Sequence, residues 1–332
     1  METVRYYVSP ERLEKYKPYF PTLYPELCRA AEIIRSSETA LAFLSRLIGA
    51  VHGTEEVTIK NTEGDTVSNF APVFALLAHI EDCEAELEKR DFSSSVRESI
   101  LQKHENILKE HKRKFGYYAC SQILFDWSKH YLKPDIFSMD TLEFEIQEYG
   151  NDDIFTGPNG QLIPLRNAVL ENGVYKGVTV QRGGADGIAA ELPAAQYTPV
   201  LQQGDTVISV HIPAKADISP KNCEIAFQHA LDFFEKHYPE CKIKALVCHS
   251  WLMDPQLAEG LRPDSAILSF QRFYTVTPTV SSGEEVMYFV FNKRPEDLST
   301  LPEDTTLTRF LKARYLQNNP IYAYLGIHLI GR

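Results

Sequence analysis

The sequence predicts an α+β protein, with an all-helical domain over residues 1–140 and a mixed β-sheet domain with flanking helices over 141–332. Three observations predict it. A chain of 332 residues is longer than the usual single domain. Apolar residues recur three or four apart in the first part, and strand and turn signals take over from Thr141. Residues Gly204–Pro255 then read strand, helix, strand with short connections, a βαβ crossover whose two strands lie parallel.

Taken in order, Glu26–Ile34 and Thr39–Val51 have helical spacing. Gly53 and the polar stretch Thr62–Thr66 break it, and Phe70–Leu87 resumes it. Ser93–Tyr131 is the longest segment without proline. It is expected as one helix bent at Gly116, with Ile100, Ile107, Leu108, Phe115, Tyr118, Ile123 and Leu124 as its buried stripe. Lys133-Pro134 stops it. Leu142–Tyr149 alternates apolar and charged residues, as a strand with one buried face does. A turn at Thr156–Gly160 leads to a partner strand at Leu162–Leu165, and Glu171-Asn-Gly173 and Arg182-Gly-Gly184 punctuate two further runs.

In the central unit, Val207–Ile212 is β-branched and apolar. Ser219-Pro220 has the form of an N-cap with proline at the first helical position. Ile225, Ala226, Leu231, Phe233 and Phe234 carry that helix to Tyr238-Pro239. Ile243–Leu252 is the second strand. Beyond it, Asp264–Tyr274 reads as a helix, Glu285–Asn292 as a strand, Thr305–Leu316 as an amphipathic helix and Tyr322–Ile330 as a closing strand.

Composition narrows the function classes. A net charge of −11, from 45 acids against 34 bases, argues against broad binding to nucleic acid or an anionic membrane. No apolar run approaches the ~18–20 residues that span a bilayer. The N-terminus has no apolar signal core, and the six cysteines form no CxxC pair, so a cytoplasmic protein with reduced thiols is expected. His104 and His111 lie seven apart, too far to share an ion from one helix face, so they read as a solvated face and no metal is expected.

Both parallel strands carry a histidine near the carboxyl end, His211 and His249, and ligands of open α/β sheets bind beyond that end. Each histidine reads either as a general base or as a buried ring bonded to backbone. Ser250, Trp251 and Asp254 follow as candidate walls of a substrate pocket. Asp254 precedes proline, so it either orients a histidine or caps the next helix. Cys248 cannot pair directly with His249, because adjacent strand residues face opposite ways.

The strings VISVHIP, VCHSWLMDPQL and LRPDSAILSFQRF resemble the C-terminal domain of bacterial two-domain N-acyltransferase-like proteins, in the GNAT superfamily broadly defined. The helical part ending in FGYYACSQILFD resembles the N-terminal domain paired with it. The resemblance implies transfer of an acyl group from acyl-CoA to a small-molecule amine acceptor. In such enzymes the donor thioester lies where two central strands splay apart, and a helix N-terminus holds its pyrophosphate. The corresponding loop here is Lys215–Pro220, where Ile218 and Pro220 replace the usual small residues and Asp217 adds a negative charge. What remains is an anion site formed by Lys215, Ser219 and the amides near Lys221 and Asn222. Tyr274 stands near the position of a tyrosine that protonates the leaving thiolate, or else is a packing aromatic. A non-catalytic binding or interaction protein on a degenerate GNAT-like fold is the alternative.

Overall fold

The computed structural model describes residues 2–292 and 294–331. The chain divides into two compact units, Met1–Phe137 and Ser138–Arg332.

The first unit is helical: α1 (Glu2–Tyr6), α2 (Pro10–Tyr16), α3 (Tyr24–Arg35), α4 (Glu38–Val51), α5 (Thr66–Leu77), α6 (Ile80–Lys89), α7 (Ser94–Leu101), α8 (Lys103–Phe115) and α9 (Gln122–Leu132). At its centre lies α5, where every residue from Asn69 to Leu77 is buried. Such a helix is apolar all round because neighbours cover all its sides, here α3, α4, α8 and α9. Side-chain caps start several of the helices. Ser37, Ser93 and Ser121 each accept from the backbone three residues on, and Asp65 accepts from Val67 and Ser68.

The single helix expected over Ser93–Tyr131 is three helices, α7 to α9. Gly116 ends α8 in the left-handed conformation, φ 91°, instead of bending it, and Ser121 caps a new helix. The stripe breaks there too, since Phe115 and Ile123 are exposed. The run Phe70–Leu87 is likewise divided between α5 and α6. His104 and His111 do not form a solvated face. Both are buried, and His111 Nδ1 lies 2.9 Å from the carbonyl of Tyr117.

The second unit holds two sheets. Its strands are β1 (Ile136–Met139), β2 (Leu142–Glu148), β3 (Asp153–Thr156), β4 (Leu162–Glu171), β5 (Val174–Val180), β6 (Asp186–Pro193), β7 (Thr198–Leu201), β8 (Thr206–His211), β9 (Ile243–Ser250), β10 (Thr275–Pro278) and β11 (Tyr324–Leu329). Its helices are α10 (Pro220–His237), α11 (Ala266–Gln271), α12 (Glu285–Phe289) and α13 (Thr306–Leu316). One sheet runs β1-β2-β8-β9-β11-β10 and is mixed, since β8 and β9 are parallel while β2/β8, β9/β11 and β10/β11 are antiparallel. The other, β6-β5-β4-β3-β7, is antiparallel.

Alternation along β8 and β9 splits their side chains between two cores. Val207, Ala245 and Val247 meet Tyr149, Ile154 and Leu201. The opposite face is covered by α10, whose Phe227 contacts Phe144, Phe270, Phe273 and Tyr274. A third core gathers Leu257, Leu268, Leu311, Tyr315 and Ile321. The segment Glu285–Asn292, expected as a strand, forms the short helix α12 (Glu285–Phe289) and a turn after it, and contributes to that core. Its apolar positions 286, 287, 290 and 291 share one helical face, while Phe289 points to solvent. Among the described residues no helix is long and apolar enough to cross a membrane.

Candidate active site

The site is made by strands that stop pairing. The β8/β9 ladder runs from Thr206/Ile243 to Ser209/Val247 and ends there. Each strand continues with its outer neighbour, His211 opposite Glu143 of β2 and His249 opposite Leu325 of β11. Among the described residues the facing edges of 210–211 and 248–250 therefore have no strand between them. A backbone group on such an edge that has no ladder partner can bond a ligand.

The pairing register puts His211 and His249 on the same face of the sheet, together with Ser209 and Val247. His211 is half-buried, and its Nε2 lies 2.9 Å from Oε2 of Glu145, which is buried on β2. His249 is exposed, with Nε2 3.4 Å from the carbonyl oxygen of Val280.

Tyr274 belongs to the opposite face. It is 8% exposed, and its hydroxyl finds no hydrogen-bond partner among the described residues. Burial raises its pKa well above the usual value, so the phenol is a proton donor and not a base. Burial also pushes the Cys248 thiol to about 12, which removes it as a thiolate nucleophile. Gly326 of β11 lets the tyrosine lie against the sheet, because a Cβ there would come within 2.9 Å of the Tyr274 ring.

The expected anion site is altered. Asp217 accepts from the backbone N–H of Ser219 at 3.0 Å and from Asn222 Nδ2 at 2.9 Å, so a carboxylate occupies the approach to the α10 N-terminus. Ser219 has N-cap backbone geometry but its hydroxyl makes no capping bond. Lys215, in the left-handed conformation at φ 68°, and Lys221 are both exposed. A cavity of about 240 Å³ opens beside this turn, lined by Asp140, Thr141, Asn222 and Ile225.

The residues after His249 are held by structure. Ser250 accepts from the N–H of Leu252, and Trp251 packs on the third core. Asp254 is fully buried. It caps the 3₁₀ turn at Gln256 and accepts from the N–H of Tyr322 at 2.9 Å, so it does not orient a histidine. Its charge faces Arg182, which also bonds Asn319, Gln256 and the carbonyl of Pro320, and stacks on Tyr322. In the sequence Arg182 stands only as part of a turn. Beside it, Gly184 passes so close to Val280 that a Cβ would lie 2.4 Å from its Cα. This approach fixes the loop whose carbonyl meets His249.

A mixed sheet that opens between its two parallel central strands is the frame the resemblance called for. The chain belongs to the family of the GNAT-like C-terminal domain, whose model matches residues 136–328. Among solved structures it is similar to an acyltransferase in complex with decanoyl-CoA and teicoplanin, at 19% identity and a TM-score of 0.62 over 95% of this chain and 85% of that one. An acyltransferase mutant in complex with octanoyl-CoA matches at 19% identity and a TM-score of 0.61, over 90% of this chain and 83% of that one. An acyltransferase in complex with CoA and 10C-teicoplanin matches at 18% identity and a TM-score of 0.59, over 99% and 87%. At these identities the likeness is one of fold. No curated protein matches the chain significantly.

Proposed function

We propose that the protein is an acyltransferase that moves an acyl group from a CoA thioester to an amine of a small-molecule acceptor. The observation that carries this reading is the parting of β8 from β9, with a histidine pair on one face and a protonated tyrosine on the other. The acceptor nitrogen attacks the thioester carbonyl carbon and the C–S bond breaks. His211 takes the proton from the amine, and Tyr274 supplies one to the departing thiolate. An unpaired strand amide at the opening donates to the carbonyl oxygen, where charge develops. His249, exposed on the acceptor side, helps to bind the acceptor.

The structural relatives bound to octanoyl- and decanoyl-CoA suggest a long aliphatic donor, and those bound to a glycopeptide suggest an acceptor of similar kind. Six free cysteines suit a reducing bacterial cytoplasm, and the acidic surface suits neither nucleic acid nor anionic lipid as partner.

The test is direct. The full chain, incubated with octanoyl- or decanoyl-CoA and an amine-bearing glycopeptide, is expected to release free thiol and yield the amide by mass spectrometry. Absence of product, and of any thermal shift with acetyl-, octanoyl- and decanoyl-CoA, overturns the reading. It would leave a non-catalytic binding protein, which the Asp217 carboxylate at the α10 N-terminus favours.

A further inference from the structure

We infer that Glu145 is a positioning residue that fixes His211 in the Nε2–H tautomer and aims its ring at the opening between β8 and β9. The inference rests on the reading of His211 as the base. Along β2, Leu142 and Phe144 are buried, and Phe144 meets Phe227 of α10. Alternation sends Glu143, Glu145 and Gln147 to the other face, the face of His211. Of these three polar side chains only Glu145 is buried, and β2 gives it no reason to be, since a carboxylate is costly to bury without a partner.

One such partner is His211. Register places Glu145 opposite Ser209 and Glu143 opposite His211, so Glu145 reaches the ring diagonally across the β2/β8 pair. Glu143 itself accepts from the hydroxyl of Ser138. An ionised carboxylate only accepts hydrogen bonds, so the hydrogen of the neutral ring resides on Nε2 and the deprotonated nitrogen is Nδ1. When the ring takes the amine proton, the same carboxylate faces the positive charge that forms. A carboxylate behind a catalytic histidine does this work in hydrolase triads, by holding tautomer and orientation.

The experiment uses the full chain with ¹⁵N-labelled histidine and the substitution Glu145→Gln, which keeps the shape and removes the charge. The His211 signals are assigned by their loss in His211→Gln. In the wild type they are expected to show the Nε2–H tautomer as the main neutral form, and in Glu145→Gln a mixture of tautomers. The rate should fall about 10- to 10³-fold in kcat with KM for acyl-CoA unchanged, since the loss is in the proton-transfer step. Glu145→Asp should recover part of it.

A wild-type His211 that is mainly Nδ1–H overturns the inference without any variant, so it stays testable if Glu145→Gln fails to fold. So does a folded Glu145→Gln with the tautomer and kcat unchanged. The tautomer result is independent of activity. An inactive protein with the expected spectra sinks the acyltransferase reading and leaves the Glu145–His211 assignment standing. An active, His211-dependent enzyme with unchanged spectra does the reverse.

Discussion

A buried hydroxyl without a bonding partner is a standing cost to the fold, and among the described residues Tyr274 carries one. Removing it should stabilise the protein. Tyr274→Phe is expected to gain about 1 kcal/mol of stability and to lose about 10²-fold in kcat, seen by thermal melting and steady-state rates. A variant that melts earlier and turns over normally would assign Tyr274 to packing. Only some of the site residues were legible in the chain. His211 and His249 stand at strand ends, which any βαβ reading exposes, and Asp254 before proline announces a cap. Glu145 looked like one more outward charge in an alternating strand. Its bond to His211 is a diagonal contact with β8, and pairing register is not written in a single strand. Gly326 and Arg182 escaped for the same reason, because each answers to a partner more than fifty residues away.

At the scale of elements, the turn before α10 carries the next prediction. Asp217 holds the first turn in the way a bound anion would, with its carboxylate against the Ser219 N–H and the Asn222 amide. If the donor's phosphates approach this helix end, the carboxylate opposes them. Asp217→Asn removes the charge and keeps one acceptor oxygen for the Ser219 N–H. KM for acyl-CoA is then expected to fall about 3- to 10-fold, a change that matches one screened charge contact, with kcat unaltered. A rise in KM would place the phosphates elsewhere. Long periodic elements such as α4 and α10 were readable because burial and spacing agree over several turns. Short ones were not. The apolar run at Glu285–Asn292 fits a strand or a helix equally well until its neighbours in the third core choose the face. The stretch Ser93–Tyr131 lacks proline, yet Gly116 and the Ser121 cap stop two helices within it.

For the molecule as a whole, acid stability follows from one histidine of the helical unit. His104 is completely buried, neither ring nitrogen has a partner among the described residues, and burial lowers its pKa from 6.5 to about 4. The folded state therefore refuses a proton that the unfolded chain accepts between those values. Stability from this group is complete above about pH 6.5 and is lost progressively as pH falls to about 4, to an extent of about 3 kcal/mol. His104→Leu, which cannot titrate, should flatten the fall of melting temperature across that window. An unchanged slope would show that the ring is protonated or hydrated in the fold.

The division of His211 and Tyr274 between the two faces of one sheet has a kinetic meaning. The proposed proton acceptor and donor are separated by the sheet itself, and Cys248, the thiol next to His249 in sequence, is held protonated on the Tyr274 side. A thiol held protonated is a poor nucleophile to store the acyl group between half-reactions. If His211 and Tyr274 act as proposed, both substrates are expected to be present together, each reaching the gap from its own side, and initial rates should trace intersecting double-reciprocal lines where a covalent relay would draw parallel ones.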